Sequence, residues 1–346
     1  MPLKIVRQDI TKMDCDAIVN STNPAMIGAG GVDAAIHEAA GPKLDAACKR
    51  LGGCPVGGVR LTKGYKLPCR YIIHTVGAVW KDGGHGEAEV LASCYRNSLA
   101  LAQKRRFKSV AFPVIGANTL GAPKKEAFRI AVDAIGSFLL ENDMLVYLVV
   151  FGSEEYGIGS RFFPDIESYI DDHYALAHRE QKVSRRLWGQ TLTLMEESEP
   201  KEAAPVAFAA PPPMPQTAAP MDRDGTLSFI MEQIDESFSE MVLRKITEKG
   251  MTDAACYKRA NLDRKLFSKL RSNPQYKPSK PTAIALAIAL ELPLEEAKDM
   301  LMKAGFALSH SSKFDLIVEY FIRNGNYNIF EINEALFAFD QSILGG

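Results

Sequence analysis

The sequence lacks any long apolar run. The two longest, Met144 to Phe151 and Ala283 to Leu290, are eight residues each, against the roughly 18 that a membrane-spanning helix needs. It also lacks a leader pattern, because Met1-Pro-Leu-Lys-Ile-Val-Arg-Gln-Asp places charge where a signal peptide needs an apolar stretch. Cysteine is sparse: the six (15, 48, 54, 69, 94, 256) form no Cys-x-x-Cys pair and have no partner histidine at metal-ligand spacing. These absences argue against a structural zinc site and for reduced thiols, several of them buried, in a cytoplasmic protein with no membrane partner. Net charge is nearly absent as well, with 41 Lys and Arg against 42 Asp and Glu. The whole-chain sum therefore makes no case for nucleic acid or an anionic membrane, although a balanced sum can hide two opposed halves.

What is present is an ordinary globular composition, 47% apolar and 24% charged over 346 residues, enough for about two domains. One break is plain. Seven of the 19 prolines and seven alanines lie between Glu199 and Pro220. Proline removes amide donors and favours an extended path, so residues 197–224 read as an interdomain spacer. A Pro-rich ligand for an SH3-type groove is the other reading of such a segment. The expected organisation is an α/β domain over 1–178, a helical extension over 179–196, the spacer, and an all-α domain over 225–346.

Before the spacer, strands and helices alternate. Leu3–Val6, Ala17–Val19, Tyr71–Val76, Val110–Ile115 and Leu145–Phe151 read as strands, the last all-apolar like a strand buried on both faces. Val32–Leu51, Ala88–Ala102, Lys124–Leu140 and Pro164–His178 carry helical periodicity. This order predicts a three-layer α/β/α sandwich, in which ligands bind beyond the carboxyl ends of the strands.

Two loops have that address. The first is Asn20-Ser-Thr-Asn23-Pro-Ala-Met-Ile-Gly28-Ala-Gly30-Gly31-Val32-Asp33, running straight into a helix. Its glycines and the helix start suit a phosphate, and Asp33 could equally be a first-turn acid complementing the helix dipole. The second is Pro113-Val-Ile-Gly116-Ala117-Asn118-Thr-Leu120-Gly121-Ala-Pro123. Neither is a Walker A loop or a dinucleotide fingerprint. His37 and His74, inside a helix and a strand pattern, read as packing or locally bonded residues, and His85 as an exposed loop residue.

Taken together, Asp9-Ile-Thr, Ala17-Ile-Val-Asn20-Ser-Thr-Asn23, Gly30-Gly-Val-Asp33-Ala-Ala-Ile-His37, Gly64-Tyr-Lys-Leu-Pro, Tyr71-Ile-Ile-His-Thr-Val-Gly77 and Phe112-Pro-Val-Ile resemble a macrodomain of the MacroD type. The resemblance implies a mixed sheet flanked by helices, with an ADP-ribose cleft. Asp9 would accept from the adenine amine, and the Ile10 backbone would seat the ring. Asn23 would bind the distal ribose, while Gly30, Gly31 and Val32 would wrap the diphosphate, facing Gly116, Ala117, Asn118 and Leu120. Asp33 and Asn23 would be the catalytic pair, Asp33 orienting a water for release of ADP-ribose from acidic side chains or for deacetylation of O-acetyl-ADP-ribose. No cofactor and no metal is implied; the partner would be ADP-ribose or an ADP-ribosylated protein. The chain departs from the family in the second loop. Gly116-Ala117-Asn118 stands where Ser-Thr-Gly is usual, and Leu120 takes an aromatic's place. Ala29 interrupts the first glycine run. A non-catalytic ADP-ribose reader is the alternative.

After the spacer the apolar spacing is helical throughout. Helices are expected over Phe238–Lys249, from a Thr252 cap to Ala260, and over Arg264–Arg271, Ala283–Leu290, Leu294–Ala304, Phe314–Arg323 and Ile329–Phe339. Residues 238–305 resemble an Xre-like helix-turn-helix module. Between Arg244 and Lys280 there are 11 Lys/Arg and 3 Asp/Glu, a net of +8; from Pro281 onward there are 4 and 9, a net of −5. If Arg264–Arg271 is a recognition helix, Arg264, Lys265, Ser268, Lys269 and Arg271 face nucleic acid, and Leu266, Phe267 and Leu270 face inward. A regulator that binds DNA and senses an ADP-ribose-like metabolite would follow. The competing readings are a solvated basic face and a dock for an acidic protein.

Overall fold

Six strands make one mixed sheet: β1 (Leu3–Arg7), β2 (Ala17–Ser21), β3 (Val59–Lys63), β4 (Tyr71–Thr75), β5 (Ser109–Pro113) and β6 (Leu145–Val150), in the order β1-β6-β5-β2-β4-β3. The computed structural model describes residues 2–117, 120–151, 165, 166, 168–170 and 236–345. All pairings are parallel except β3 with β4. The period of two in strand side chains sorts the core. Ile18, Ile72 and Ala111 face the layer containing Ile36, Leu44 and Cys48. Their neighbours Val19, Ile73 and Phe112 face the layer containing Leu91, Tyr95, Leu99 and Ile135. The first layer is α1 (Gly31–Ala40) and α2 (Pro42–Leu51); the second is α3 (Glu87–Lys104) and α4 (Lys124–Glu141). The expected α/β/α sandwich is what forms.

Two readings need correction. Val32–Leu51 is two helices, broken at Gly41-Pro42, with Pro42 at the first position of α2 where its missing N–H costs nothing. β3 was not anticipated: as an edge strand, its Val59-Arg-Leu-Thr-Lys is mostly half-buried and lacks a clean apolar alternation. All six cysteines are buried and in no disulfide. Of Pro164–His178, residues 165, 166 and 168–170 are described and helical. The 179–196 extension and the 197–224 spacer lie outside the described residues.

The carboxyl half forms α5 (Phe238–Glu248), α6 (Asp253–Arg259), α7 (Arg264–Ser272), α8 (Lys280–Ala289), α9 (Leu294–Lys303), α10 (Lys313–Arg323) and α11 (Ile329–Ala338). Side-chain caps start most of them: Ser237, Thr252, Asp263, Ser279, Ser312 and Asn328 each accept from a first-turn amide. These helices do not stand apart from the sheet. Phe128 of α4 stacks on Phe337 of α11, with ring centroids 6.0 Å apart. A Cβ at Gly136 would come within 2.7 Å of the Phe330 ring, so only glycine lets α11 approach α4 this closely. Arg7 of β1 bonds Asp340 at 2.5 Å and lies over the Phe337 ring. At the other end of β1, Asn261 accepts from the Leu3 amide at 2.8 Å and donates to the Leu3 carbonyl at 3.0 Å. The edge of the sheet is covered by side chains of the helical half.

Glu334 of α11 sits in this interface, 9% exposed. Burial, and more weakly the carboxylates of Asp133 and Glu331, push its pKa up to about 7, against the pull of Lys125 and Arg129. The folded state therefore holds a proton that the unfolded chain releases above its ordinary pKa near 4.5, so stability falls as pH rises from about 4.5 to about 7. Glu334→Gln is expected to flatten that slope and to stabilise the protein at pH 8 by up to about 3 kcal/mol. Denaturant titration at pH 5 and pH 8 checks this; an unchanged slope in the variant would count against it.

Candidate functional site

The carboxyl ends of β1, β6, β5 and β2, four adjacent parallel strands, carry the polar and glycine-rich segments singled out above. β1 ends into a 3-10 turn at Ile10–Lys12, which Asp9 caps. One Asp9 oxygen takes both the Thr11 amide, at 2.9 Å, and its hydroxyl, at 2.7 Å. The other, Oδ2, has no partner among the described residues and can accept from a ligand. Ile10 is buried and anchors the turn.

β2 feeds the first loop. Half-buried Asn23 closes it, its amide donating to the Ile27 carbonyl at 2.6 Å and its oxygen accepting from Ala25 N at 3.0 Å. Gly30 and Gly31 open α1 with φ of +145° and +54°, values an L side chain adopts only under strain. Their amides, with that of Val32, form the start of the helix, where Gly31 is exposed and Gly30 and Val32 are half-buried, suited to an anion by its unpaired N–H groups and dipole.

Asp33 is 4% exposed and organises this loop from beneath. Oδ1 accepts from Asn20 Nδ2 at 2.7 Å; Oδ2 accepts from Thr22 Oγ1 at 3.0 Å and Ala29 N at 3.2 Å. A carboxylate has about four lone-pair sites; three are taken, and His37 Nε2 stands 3.5 Å from Oδ1. The chain of contacts continues on both sides. His37 Nδ1 donates to Asp45 at 2.6 Å, and the His37 side chain packs against Gly28, where a Cβ would come within 3.0 Å of its Cβ and 3.1 Å of its ring. In the other direction Asn20 Nδ2 donates to His74 Nδ1 at 3.2 Å, and His74 Nε2 bonds Thr62 at 2.8 Å. Burial first, and then the nearby charge of His37, push His74 down to about 3, so it is neutral with its proton on Nε2. Neither histidine reaches the cleft as an acid or base; both brace Asn20 and Asp33. Thr22, His37 and Thr62 were not assigned this work from sequence.

The second loop leaves β5. Gly116 O accepts from Ala122 N at 3.0 Å, closing it, and Leu120 O accepts from Trp80 N at 2.7 Å. Leu120 is half-buried and packs toward Gly77, where a Cβ would lie 2.6 Å from its Cδ1. Gly116 is glycine at φ +94° against Leu91, and Ala117 is buried. Asn118 lies outside the described residues.

Phe151 escaped the sequence reading, absorbed into an apolar strand. The strand ends at Val150, which pairs with Arg7 and accepts from Gln8 N at 3.2 Å, and Phe151 is 64% exposed beside the Asp9 turn. An aromatic ending a buried strand at its carboxyl end was the available clue.

The reading that no metal-ligand cluster is present also changes. Asp82, His85 and Glu87 have ligating atoms within 4.8 Å of one another. Glu87, however, accepts from Lys81 N at 3.2 Å and His85 N at 2.7 Å, and its own backbone amide first, then those of His85 and Lys81, hold its carboxyl below its usual range. It caps the turn into α3. Of the five α7 residues nominated for nucleic acid, Arg264, Lys265, Ser268 and Lys269 are exposed, while Arg271 is committed to Asp253. Phe267 and Leu270 are buried and Leu266 half-buried, as the helical spacing implies.

The Macro domain family model matches residues 19–131. A Macro domain-containing protein of Mesorhizobium japonicum is 53% identical over 149 residues, which span 43% of this chain and 84% of that protein. The chain belongs to the macro domain family. An O-acetyl-ADP-ribose deacetylase of Klebsiella pneumoniae is 44% identical over 164 residues, covering 46% of this chain and 94% of its own length. A solved Oceanobacillus iheyensis macrodomain with ADP is 41% identical, covers 49% of this chain and 92% of its own, and superposes with a TM-score of 0.44. The residues that the family model matches take in β3, β4, β5 and α1 to α3 whole.

Proposed function

We propose that the macro domain of this chain binds ADP-ribose, and that it belongs to the MacroD-type hydrolases that remove ADP-ribose from acidic side chains or deacetylate O-acetyl-ADP-ribose. The observation that carries this is the alignment of an unpaired Asp9 oxygen, the exposed Phe151 ring and the Gly30–Val32 helix start along four adjacent strand ends. The first two suit a base, one by a hydrogen bond and the other by stacking, and the third suits a diphosphate. The deacetylase name of the Klebsiella relative supports the hydrolytic reading.

In this scheme Asp9 Oδ2 accepts from the adenine amine, and Phe151 offers its face for stacking. The amides of Gly30, Gly31 and Val32 hold the diphosphate opposite Gly116 and Ala117, and Asn23 orients the distal ribose. Anchoring at the diphosphate lets distant binding energy fix the reacting end. Water attack releases the acyl group or the carboxylate side chain. Asp33 assists by holding Thr22 and Ala29, hence the loop against which that water sits. The helical half, in turn, is a helix-turn-helix module through α6 and α7.

Calorimetric titration of the full chain with ADP-ribose tests the shared claim; no heat at millimolar ligand would refute it. Phe151→Ala is expected to weaken ADP-ribose about tenfold, since base-aromatic stacking is worth about 1–3 kcal/mol. An unchanged affinity would remove Phe151 from the site.

A further inference from the structure

The net charge of +8 between Arg244 and Lys280 shrinks on folding. Arg244 pairs with Glu236 and Glu248, Lys245 with Glu248 and Glu296, and Arg259 with Glu291. Arg271 pairs with Asp253, and Lys280 with Asp315. On α7 the exposed Arg264, Lys265 and Lys269 are left, and no ion pair among the described residues engages them.

A second basic segment lies far away in sequence. Lys104 ends α3, Arg105 and Arg106 turn the chain, and Lys108 precedes β5; all four are exposed and none is in an ion pair among the described residues. The fold sets this segment beside the start of α7. The Lys108 carbonyl accepts from Leu145 N at 2.9 Å. Leu145 shares a cavity of about 310 Å³ with Lys4, Leu262, Asp263 and Leu266. On the other flank, the Gln103 side chain bonds that of Asn142. The Asp143 carboxylate and the Arg264 guanidinium both act on the Tyr257 hydroxyl, whose pKa burial chiefly raises. Three acids stand among these cations: Asp263 is occupied capping α7, Asp16 accepts from the Lys108 and Ser109 amides and pairs with Arg70, and Asp143 is the third.

We propose that Lys104–Lys108 and α7 together form one face, at the amino ends of the strands and opposite the ADP-ribose cleft, that binds double-stranded DNA through its phosphates. The composition of the face selects the partner. A membrane surface or an acidic protein would call for apolar anchors among the cations. None of the large apolar side chains found exposed among the described residues falls within 104–108 or 264–272. Leu140, on the neighbouring helix, lines a separate groove with Arg259 and Glu291. An exposed nine-residue helix fits the B-form major groove, about 12 Å wide, whereas the A-form groove is too narrow to admit it. The flanking cations of 104–108 then fall to the phosphate backbone.

The test is fluorescence anisotropy of the full chain with a labelled mixed-sequence DNA duplex, across a salt series. With at least about four phosphates neutralised, affinity falls on the order of 100-fold between 50 and 200 mM salt. Lys265→Gln/Lys269→Gln and Lys104→Gln/Arg105→Gln should each weaken binding about tenfold or more at low salt and lower the salt slope by about 2. Lys265→Arg/Lys269→Arg should retain it. Unchanged thermal melting and ADP-ribose affinity in these variants show that the fold and the cleft are intact. No binding at 50 mM salt overturns the proposal. So does sensitivity to only one of the two charge-removing pairs, or equal binding to duplex RNA or to phosphatidylserine vesicles.

Discussion

Asp33→Ala is expected to abolish ADP-ribose release and to lower the melting temperature by about 10 °C. The reason is the number of donors the carboxylate satisfies. Asn20 Nδ2 and Thr22 Oγ1, both buried, lose an acceptor, and so does the Ala29 amide. Unmet buried donors cost about 1–3 kcal/mol each, and a domain of this size loses about 2–4 °C per kcal/mol. The loop from Thr22 to Val32 then loses the strut that sets its amides against the cleft. A thermal melt and a release assay on an automodified protein check both halves; wild-type values in each would remove Asp33 from the mechanism.

Asp33→Asn separates shape from charge. Asparagine can keep an oxygen toward Thr22 and Ala29 but turns an amide group toward Asn20. Asn20 can answer by flipping, because its Oδ1 has no partner among the described residues. The flipped Oδ1 then faces His74 Nδ1, which must become a donor. Neutral His74 can shift its proton to Nδ1, leaving Nε2 to accept from the Thr62 hydroxyl. The relay rewires with one exchange: the Asn20 amide nitrogen moves into the partnerless place that Oδ1 holds in the wild type, so an orphaned donor replaces an orphaned acceptor. The asparagine variant is therefore expected to melt within about 3 °C of wild type and to release ADP-ribose within about tenfold of it. A loss of about 100-fold or more with an intact fold would instead indicate that the carboxylate itself touches the attacking water.

This relay shows why the site was only partly legible. The loop glycines, Asn23 and Asp33 stand in one segment, so their neighbourhood could be read along the chain. The brace beneath them could not: Thr62 and His74 come from β3 and β4, and Asp45 from α2. Only the sheet order brings them under the loop. Parallel strands buried on both faces announced themselves by unbroken apolar runs, as Leu145–Val150 does. The edge strand β3, half-exposed and mixed, did not. Phe151 was hidden by that same rule, because an apolar residue at the end of an apolar run looks like one more core position. The seven cations of the basic face needed the fold in another sense: the segment count over 244–280 included five that ion pairs neutralise and omitted four from the macro domain.

The covered edge of the sheet makes Asn261 the most consequential residue of the helical half. In sequence, Asn261-Leu-Asp is a spacer between two helices; in the fold it is a joint. Asn261 is 3% exposed, and its side chain takes the place of a neighbouring strand at Leu3, meeting both the amide and the carbonyl. It also donates to the Leu344 carbonyl at 3.3 Å, while Asn333 holds the same residue through its amide and carbonyl. Its φ of +52° adds a second constraint, since the left-handed region costs a non-glycine residue roughly 1–2 kcal/mol, and Asn is among the few that visit it routinely. Asn261→Ala forfeits both advantages. It strands buried backbone groups at about 1–3 kcal/mol each and adds the backbone strain. Asn261→Gly forfeits only the bonds. Alanine is thus expected to destabilise by about 3–6 kcal/mol and glycine by roughly 1 kcal/mol less. In both variants the Leu3 amide should lose its protection from hydrogen exchange before the Leu148 amide of the sheet interior does. Equal stability of the alanine variant and wild type would mean that the helical half is held by its apolar contacts with α4 alone.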